Sequence, residues 1–440
     1  MAAPAVDRER HIKFFLNHLS LLPAPYDGAD QQRLSLVYFC VSALDLLGGL
    51  GRVDRPRVVE YVYGLQLAAP TAARRGGPGA ECSGFRGGTS LGLPWAAPPP
   101  ASGGAGTGAS QSPSQARFLR FLAGGFGDSS AAAGAGGAGG AGGAGGAGGA
   151  GGAGGAGGAG GAATAARSFD CAHVAMTYSA LCVLLVCGDD LARVDRRGVT
   201  AALRALQRPD GSFVGNGGPS GSEADMRFVF CAAATSFLLD DWSGCDRQRA
   251  AAFVRSCVTY DGGIALNPGL EAHGGSAYTA VAALRLMGLE PAAVLGGRAA
   301  VEALAQWCVG RQIGGFQGRC NKDPDTCYAW WVGATLLLLG GFGLVQQEHV
   351  TAFLLRCQFS GGGFAGFCKY PDMSPDLLHA YYGVCWLSLV GQAGIAPLHC
   401  ALGLSRRAVA EAGGLSAAQR RSLDAMDAAA AVEGQAAGWE

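Results

Sequence analysis

Apolar segments of helical length recur along the second half of the chain, and each ends in a turn rich in glycine. The turns are LQRPDGSF around Asp210, VTYDGGI around Asp261, RQIGGFQGR around Gly314 and CQFSGGGFAGF around Gly361, separated by 51, 53 and 47 residues. A looser copy lies at SGFRGGTSLG, residues 83–92. A period of roughly 50 residues accommodates two helices and their turns, so the pattern predicts an array of helical hairpins that bury one another's apolar faces.

Between the turns, the apolar residues have helical spacing. In residues 276–289 and 381–390 apolar side chains cover nearly the whole helix surface, and Gly288 marks the end of the first segment. Such segments belong on the inside of a double layer of helices. Alternation with period two is scarce, so no sheet is expected. The pattern predicts an all-α fold, either closed into an α/α barrel (toroid) whose inner helices line a cavity, or open as a solenoid.

A glycine excess interrupts this array in one place. Of 440 residues 74 are glycine, and residues 132–163 are almost pure Gly and Ala, with a flank rich in Pro, Gly and Ser. Such a stretch cannot bury enough apolar surface to offset its ordering entropy, so residues 98–165 are expected to be a low-complexity flexible insertion. The barrel is then expected at 1–97 and 166–405, with a C-terminal tail at 406–440.

Charge and cysteine usage argue against several classes of protein. Lys plus Arg and Asp plus Glu both total 33, which gives no electrostatic reason to expect a nucleic-acid or anionic-membrane partner. The apolar runs at 174–187 and 329–345 are short for a membrane span, so no transmembrane protein is expected. The start, MAAPAVDRERHIK, has no apolar core, and the 15 scattered cysteines form no CxxC pair. Reduced thiols and a cytoplasmic location are therefore expected.

One turn carries residues suited to a metal. Asp325 and Cys327 flank a single residue just after Pro324, where a helix is expected to begin and its dipole favours an ionised thiol. His379 opens the last apolar helix 52 residues after Cys327, one repeat later, and successive hairpins are neighbours in space. Asp, Cys and His would leave a fourth position open, as in catalytic zinc sites. Spacing alone favours the plainer alternative of an N-cap aspartate, a core cysteine and a core histidine.

A group of cationic and hydrogen-bonding residues surrounds the same turn. Arg319 and Lys322 precede Asp325, Tyr328 follows Cys327, and His273 lies in LEAHGGSAY at the equivalent position of the preceding repeat. If these side chains converge, they would suit a diphosphate leaving group. Taken singly, each also fits an ordinary solvated residue at the rim.

The longer motifs together resemble one family. GRCNKDPDTCYAWWVGATL is similar to the zinc-binding motif of protein prenyltransferase β subunits. HIKFFLNHLSLLP, SFDCAHVAMTY, SEADMRFVFCA, LEAHGGS and DLLHAYYGVCWLSL match the same family in the same order. The resemblance covers nearly the whole chain except residues 98–167 and the tail after about 405. It implies an α/α barrel that is active as a heterodimer with a helical-repeat α subunit.

The resemblance also implies a reaction. One Zn²⁺ is held by Asp325, Cys327 and His379, and its open position takes the cysteine of a C-terminal CaaX motif, as found in small GTPases. The metal keeps this cysteine as a thiolate, which displaces diphosphate from the first carbon of an isoprenoid diphosphate and forms a thioether. The diphosphate contacts carried over from the family are His273, Arg319, Lys322 and Tyr328. The residues matched to the lipid and peptide cavity are Arg227 and Trp331.

Three positions favour the type I geranylgeranyltransferase branch, which uses geranylgeranyl diphosphate. Ser35, in QQRLSLVYF, stands where farnesyltransferases carry a bulky Trp that shortens the lipid pocket. Leu378 precedes His379, where farnesyltransferases have Tyr. Lys369, in GFCKYPD, stands near the position where other branches carry an Asp associated with magnesium. The lysine ammonium can take the place of the metal charge, so Mg²⁺ is expected not to be required. A turn lysine in water is the alternative for Lys369.

The acceptor is expected to end in Leu or a similar apolar residue. The residues matched to its pocket are His173, Ala175, Phe228 and Leu378. A farnesyltransferase β subunit and a non-catalytic, peptide-binding helical toroid are the alternative functions. A terpene cyclase shares the barrel but needs a DxDD or DDxxD motif, and Asp189-Asp190 is followed by Arg193 where the third Asp would stand.

Overall fold

In the computed structural model, helices alternate along the chain between an inner and an outer layer. The structure describes residues 6–68, 80–88, 171–217, 223–361 and 363–436. The predicted insertion at 98–165 lies outside the described residues. The helices are α1 (Arg8–Ser20), α2 (Arg33–Leu46), α3 (Arg55–Gly64), α4 (Val174–Val186), α5 (Arg196–Leu206), α6 (Met226–Leu238), α7 (Arg247–Ser256), α8 (Gly274–Leu286), α9 (Pro291–Leu295), α10 (Arg298–Val309), α11 (Thr326–Leu338), α12 (Gln347–Arg356), α13 (Leu377–Leu389), α14 (Arg406–Glu411) and α15 (Ala417–Ala436).

Six helices form the inner wall: α2, α4, α6, α8, α11 and α13. Each packs against the next, and α13 packs against α2, so the wall closes on itself. Nearly all residues of these helices are buried, because they are apolar all round. The closed ring confirms the predicted α/α barrel and excludes the open solenoid. In the described part of the chain, no helix combines the length and apolar character needed to cross a membrane.

The two helices predicted from apolar spacing are present with shifted bounds. The segment 276–289 corresponds to α8, and 381–390 corresponds to α13. The earlier start of α13 follows from Asp376, whose side chain accepts a hydrogen bond from the backbone N–H of His379 and caps the helix. His273 caps α8 in the same way through the N–H of Gly275.

Short ribbons join some of the helices, and on this point the sequence-based expectation of no sheet is wrong. Among the described residues, three antiparallel ribbons pair β1 (Gln66–Leu67) with β2 (Gly84–Phe85), β3 (Gln358–Gly361) with β4 (Phe364–Phe367), and β5 (Leu398–His399) with β6 (Leu404–Ser405). Strands of two to four residues are too short for an alternating pattern to register in the sequence.

The predicted repeat turns share a backbone feature. Each contains a glycine with a positive φ, between +77° and +91°, which a residue with a Cβ adopts only with strain. These glycines are Gly211, Gly262, Gly314 and Gly363. The repeated Gly signal in the sequence therefore has a local cause, because each turn brings the end of an outer helix back to the start of the next inner helix.

The C-terminal segment packs against the inner helices near their C-terminal ends. Arg407 donates to the carbonyl of Val186, the last residue of α4, at 2.9 Å. Gln419 on α15 donates to the carbonyl of Leu238, the last residue of α6, at 3.3 Å. Residues 406–440 are expected from the sequence as a tail, and the described part of it, up to residue 436, forms α14 and α15, which pack on this end of the barrel.

Candidate metal centre and cationic rim

Asp325, Cys327 and His379 meet where α11 and α13 begin. One oxygen, one sulfur and one nitrogen from the three buried side chains lie within 4.8 Å of one another. Asp325 Oδ1 accepts the backbone N–H of Cys327 at 2.9 Å and lies 3.2 Å from His379 Nε2. The described residues add no fourth His, Cys, Asp or Glu to this group. An oxygen, a thiol sulfur and an imidazole nitrogen at this spacing fit a zinc site that keeps one position open.

A fourth residue, which sequence analysis did not single out, orients the histidine. Asp376 Oδ2 lies 2.6 Å from His379 Nδ1, while Asp376 Oδ1 accepts the backbone N–H of His379. A carboxylate on the second ring nitrogen of a metal-binding histidine fixes the ring and raises its basicity. The Asp-x-x-His spacing at the start of an apolar segment was a usable sequence signal, because an N-cap aspartate faces the residue three positions later.

Burial and charge set the protonation of the three side chains. Burial raises the pKa of the Cys327 thiol to about 12, and the Asp325 carboxylate adds to this shift. Burial lowers the pKa of His379, but the carboxylates of Asp376 and Asp325 outweigh burial and hold that pKa well above its usual value. Burial also opposes ionisation of Asp325, yet His379 and Lys369 keep its pKa below normal. A bound cation would take the place of the protons on Cys327 and His379.

Lys369 lies beside the same group. Its Nζ is 3.7 Å from Asp325 Oδ2, and its side chain is largely buried. Its backbone carbonyl accepts the N–H of Thr326 at 3.3 Å, which ties the loop after β4 to the first turn of α11. The structure therefore places a fixed positive charge next to the Asp-Cys-His group.

The other predicted cations lie in the loop before α11. Arg319 Nη1 is 3.3 Å from Glu271 Oε2, a carboxylate that sequence analysis did not single out. The Lys322 side chain is exposed, and the Lys322 carbonyl accepts from the Gln317 side chain at 2.6 Å. Both cations thus stand on the side of the barrel where the inner helices begin.

His273 and Tyr328 form a buried pair on adjacent inner helices. His273 Nδ1 accepts the N–H of Gly275 at 2.9 Å, and His273 Nε2 lies 2.9 Å from the Tyr328 hydroxyl. Burial, helped by Arg319 and Arg227, lowers the pKa of His273 to about 3. The ring is therefore neutral with its proton on Nε2, so it donates to Tyr328 and leaves the phenol to donate to a different acceptor.

The residues matched to the peptide pocket lie on the first turns of three inner helices. His173 caps α4, with Ala175 two residues on, and its ring centroid lies 5.4 Å from that of Phe228 on α6. Burial lowers the pKa of His173 to about 4, and Arg227 adds to the shift. Leu378 is buried beside His379 on α13.

Arg227 forms ion pairs with carboxylates at the start of α6. Its guanidinium contacts both Asp225, the cap of α6, and Glu223, with Nη2 2.6 Å from Glu223 Oε2. Arg227 is therefore held at the rim by two carboxylates, neither of which sequence analysis identified.

A closed chain of aromatic rings, the aromatic belt, lies deeper in the barrel. Neighbouring ring centroids are 4.3 to 5.9 Å apart, and every inner helix contributes at least one ring. In order around the barrel, the belt consists of Tyr38, Tyr178, Phe230, Tyr278, Trp331, Tyr382 and Tyr381. Of these, only Trp331 was a sequence-based candidate, although each ring stands at the fifth or sixth residue of its helix.

Ser35 lies one turn before the belt residue Tyr38 on α2. Its hydroxyl oxygen is 3.4 Å from the hydroxyl of Ser179 and 3.5 Å from the sulfur of Met176, both on α4. Small or flexible side chains therefore meet between these two helices, next to the aromatic belt.

Comparison with known proteins gives a family match over most of the chain. The model of the prenyltransferase alpha-alpha toroid domain matches residues 6–404. The geranylgeranyl transferase type-1 subunit beta of Arabidopsis thaliana is 35% identical over 407 residues, covering 90% of this chain and 88% of the relative. The protein of the same name from Dictyostelium discoideum is 30% identical over 411 residues, covering 92% and 96%. The Asp-Cys-His group thus lies in a chain with long matches to β subunits.

Other comparisons are more distant. The geranylgeranyl transferase type-2 subunit beta of Saccharomyces cerevisiae is 32% identical over 231 residues, which covers 52% of this chain and 69% of the relative. Among solved structures, Candida albicans protein geranylgeranyltransferase-I complexed with GGPP superposes with a TM-score of 0.67 at 19% identity, covering 93% of this chain and 98% of the other. At that identity the superposition supports the toroid fold.

Proposed function

The chain belongs to the protein prenyltransferase β-subunit family, and on that premise we propose that it is the catalytic β subunit of a type I protein geranylgeranyltransferase. It transfers the geranylgeranyl group of geranylgeranyl diphosphate to the cysteine of C-terminal CaaX motifs, X mainly Leu, as a thioether. The observation that carries the proposal is the buried Asp325, Cys327 and His379 group at the start of two inner helices of a closed toroid.

The three buried side chains hold one Zn²⁺ in this proposal. Zinc, when bound, favours the thiolate form of a cysteine that approaches it near neutral pH. Asp376 keeps the His379 ring in place through Nδ1, so that Nε2 faces Asp325. The chain itself thus supplies the ligands and the group that orients one of them.

The rim residues act on the leaving group. A carbon–sulfur bond forms at the first isoprenoid carbon as the carbon–oxygen bond to diphosphate breaks, so negative charge develops on the diphosphate. Arg319, Lys322 and Lys369 stabilise this charge. Tyr328 accepts a hydrogen bond from the neutral His273, and its hydroxyl donates a hydrogen bond to a diphosphate oxygen. Because Lys369 supplies a fixed positive charge, no Mg²⁺ is required.

The inner wall accommodates the lipid and the acceptor. The aromatic belt offers apolar surface for an isoprenoid chain. Ser35 favours the longer geranylgeranyl chain, since a serine leaves more room than a bulky aromatic residue. Arg227 and the cluster at the first turns line the rim, where the CaaX end of the acceptor binds. That cluster consists of His173, Ala175, Phe228 and Leu378.

The partner is a prenyltransferase α subunit, bound in the cytoplasm. Large exposed apolar side chains stand in the connections that lead into inner helices: Leu21 before α2, Tyr260 and Leu270 before α8, Ile313 before α11 and Met373 before α13. Exposed apolar side chains on this rim give a partner protein apolar surface to cover. An α subunit on this rim would lie next to the diphosphate contacts.

The test is a transfer assay on the complete enzyme. The chain is co-expressed with a prenyltransferase α subunit and supplied with zinc but no magnesium. Transfer of geranylgeranyl and farnesyl groups to a peptide with a CaaX box ending in Leu is then compared. We expect geranylgeranyl transfer to dominate without magnesium.

A pair of cysteine variants shows which step fails. Cys327→Ala should lose zinc and transfer while lipid binding persists. Cys308→Ala, which alters an equally buried cysteine on the outer helix α10, should keep zinc.

In the transfer assay, farnesyl preference or magnesium dependence would overturn the assignment to the type I branch but keep the family. A stable, zinc-loaded complex without any transfer would favour a non-catalytic peptide-binding toroid.

A further inference from the structure

Two cysteines, Cys82 and Cys171, contact each other beside the start of α4. Cys82 ends a short 3-10 helix, Ala80–Cys82, and Cys171 lies three residues before α4. Their Sγ atoms are 3.2 Å apart. Of the 15 cysteines twelve are buried, and the half-buried ones are Cys82, Cys171 and Cys320. Two of the three cysteines within reach of solvent are therefore in direct contact.

The backbone holds this pair together. The N–H of Ala172 donates to the carbonyl of Cys82 at 3.2 Å, and the N–H of His173 donates to the carbonyl of Phe85 at 3.1 Å. Phe85 N–H donates in turn to the side-chain oxygen of Thr177, inside α4, at 3.1 Å. These bonds fix both cysteines against the start of α4, so the two thiols face each other at high effective concentration without any refolding.

We propose that Cys82 and Cys171 form a reversible disulfide that closes the chain segment between them. With a disulfide oxidant such as oxidised glutathione, one cysteine thiolate attacks a glutathione sulfur and releases one reduced glutathione. The second cysteine then attacks the protein sulfur of the mixed disulfide and releases the other glutathione. Two S–H bonds are lost, one protein S–S bond forms, and one oxidised glutathione becomes two reduced molecules.

The bond has a thermodynamic consequence that does not depend on the proposed catalytic activity. Residues 83–170 separate the two cysteines, and a cross-link over a loop of this length removes entropy from the unfolded chain. Oxidation should therefore raise the thermal midpoint. It also anchors the start of α4, two residues from His173.

The test uses the zinc-loaded complex with its α subunit. The complex is equilibrated in buffers of increasing oxidised-to-reduced glutathione ratio, the thiols are blocked, and peptides are mapped by mass spectrometry without reduction. We expect a Cys82–Cys171 linked peptide to appear while the twelve buried cysteines remain reduced, and to disappear on return to reduced glutathione. The thermal midpoint should rise by about 5 °C in the oxidised form.

Serine variants make the outcome decisive. Cys82→Ser and Cys171→Ser should each abolish the linked peptide and the thermal shift, and the remaining cysteine should carry one glutathione. Cys320→Ser removes the third half-buried cysteine and should keep both the peptide and the shift. The proposal is overturned if the linked peptide appears only when the complex unfolds, or if Cys82 links as readily to other cysteines.

Discussion

At the residue scale, several side chains of the candidate site also cap the inner helices. The N-caps of the inner helices after α2 are His173, Asp225, His273, Asp325 and Asp376. A capping side chain stands at the helix start and accepts a hydrogen bond from a backbone N–H. This hydrogen bond fixes the position of the side chain. Asp325 therefore presents an oxygen to His379 with little rotamer freedom, because the Cys327 N–H already holds that oxygen.

Asp376→Asn separates capping from the effect on the histidine. An asparagine caps a helix as well as an aspartate, but it removes the negative charge beside His379 Nδ1. We expect zinc affinity to fall about 10- to 100-fold with little change in thermal stability. Competition against a chromophoric chelator measures the affinity.

Asp372→Asn is the matched control for this variant. Asp372 lies in the same loop, is exposed and has φ of +64°, a conformation that asparagine also accepts. Its zinc affinity should equal that of the unchanged protein. Equal affinity in Asp376→Asn as well would show that the carboxylate does not support the histidine.

At the element scale, α13 depends on close packing against the β3–β4 ribbon. A Cβ added to Gly383 would stand 2.4 Å from Phe367, whose side chain is fully buried on β4. Helix-interior glycine usually costs stability relative to alanine, so this position keeps glycine for space. The ribbon therefore sets where α13 lies, and with α13 the place of His379.

Gly383→Ala should destabilise the barrel by about 1–3 kcal/mol, since the added methyl group overpacks a core contact and outweighs the better helix propensity. Gly64→Ala is the control, because nothing lies within 4 Å of a Cβ at the exposed end of α3. Urea unfolding of both variants measures the difference. A stabilised Gly383→Ala protein would mean that α13 and the ribbon can separate without cost.

At the scale of the whole molecule, the two ends of the chain close the barrel together. α2 packs against α13 and completes the ring, and the C-terminal segment then crosses the end of the ring. Tyr178, Tyr278 and Tyr381 donate from three inner helices to carbonyls of residues 400–403 at 2.8 to 3.0 Å. Hydroxyls of the aromatic belt thus bind the segment 400–403, which directly precedes β6 and α14.

Arg407 links this segment to the first inner helix. Its Nε donates to the buried carboxylate of Asp45 on α2 at 2.7 Å. Arg407→Ala should lower the free energy of unfolding by about 1–3 kcal/mol, because Asp45 stays buried with one partner fewer. The Arg407 side chain is 30% exposed, which keeps the loss below that of a fully buried pair.

Arg406→Ala is the neighbouring control. Arg406 pairs with Asp427 and is 47% exposed, so the loss should stay within about 1 kcal/mol. Adding Asp45→Asn to Arg407→Ala should cost less than the sum of the two single changes, since they share one contact. Strict additivity in urea unfolding would show that the two side chains do not interact.

The helices and the repeat could be predicted from the sequence for specific physical reasons, whereas the Asp-Cys-His site was predicted from the family resemblance. Segments apolar all round can be buried only as inner helices, and Gly262 or Gly314 must stand where the backbone needs a positive φ. Asp376 and Glu271 were not predicted as site residues, because the role of a carboxylate depends on the side chain that it contacts. Glu271 contacts Arg319 from 48 residues away, which spacing does not show. Asp376 contacts His379 three residues later, and this Asp-x-x-His spacing was the one usable signal.

The helices, their period and the glycine turns could be predicted from local properties of the chain, since propensity and periodicity depend on neighbouring residues. The Asp-Cys-His site was predicted from the family resemblance, because spacing alone favoured an N-cap aspartate and two core residues. Four features follow from the tertiary structure: the array closes, ligand atoms of residues 52 apart lie within 4.8 Å, rings from six helices form one belt, and Cys82 contacts Cys171. These facts depend on contacts between segments distant in sequence, and packing geometry alone selects those contacts.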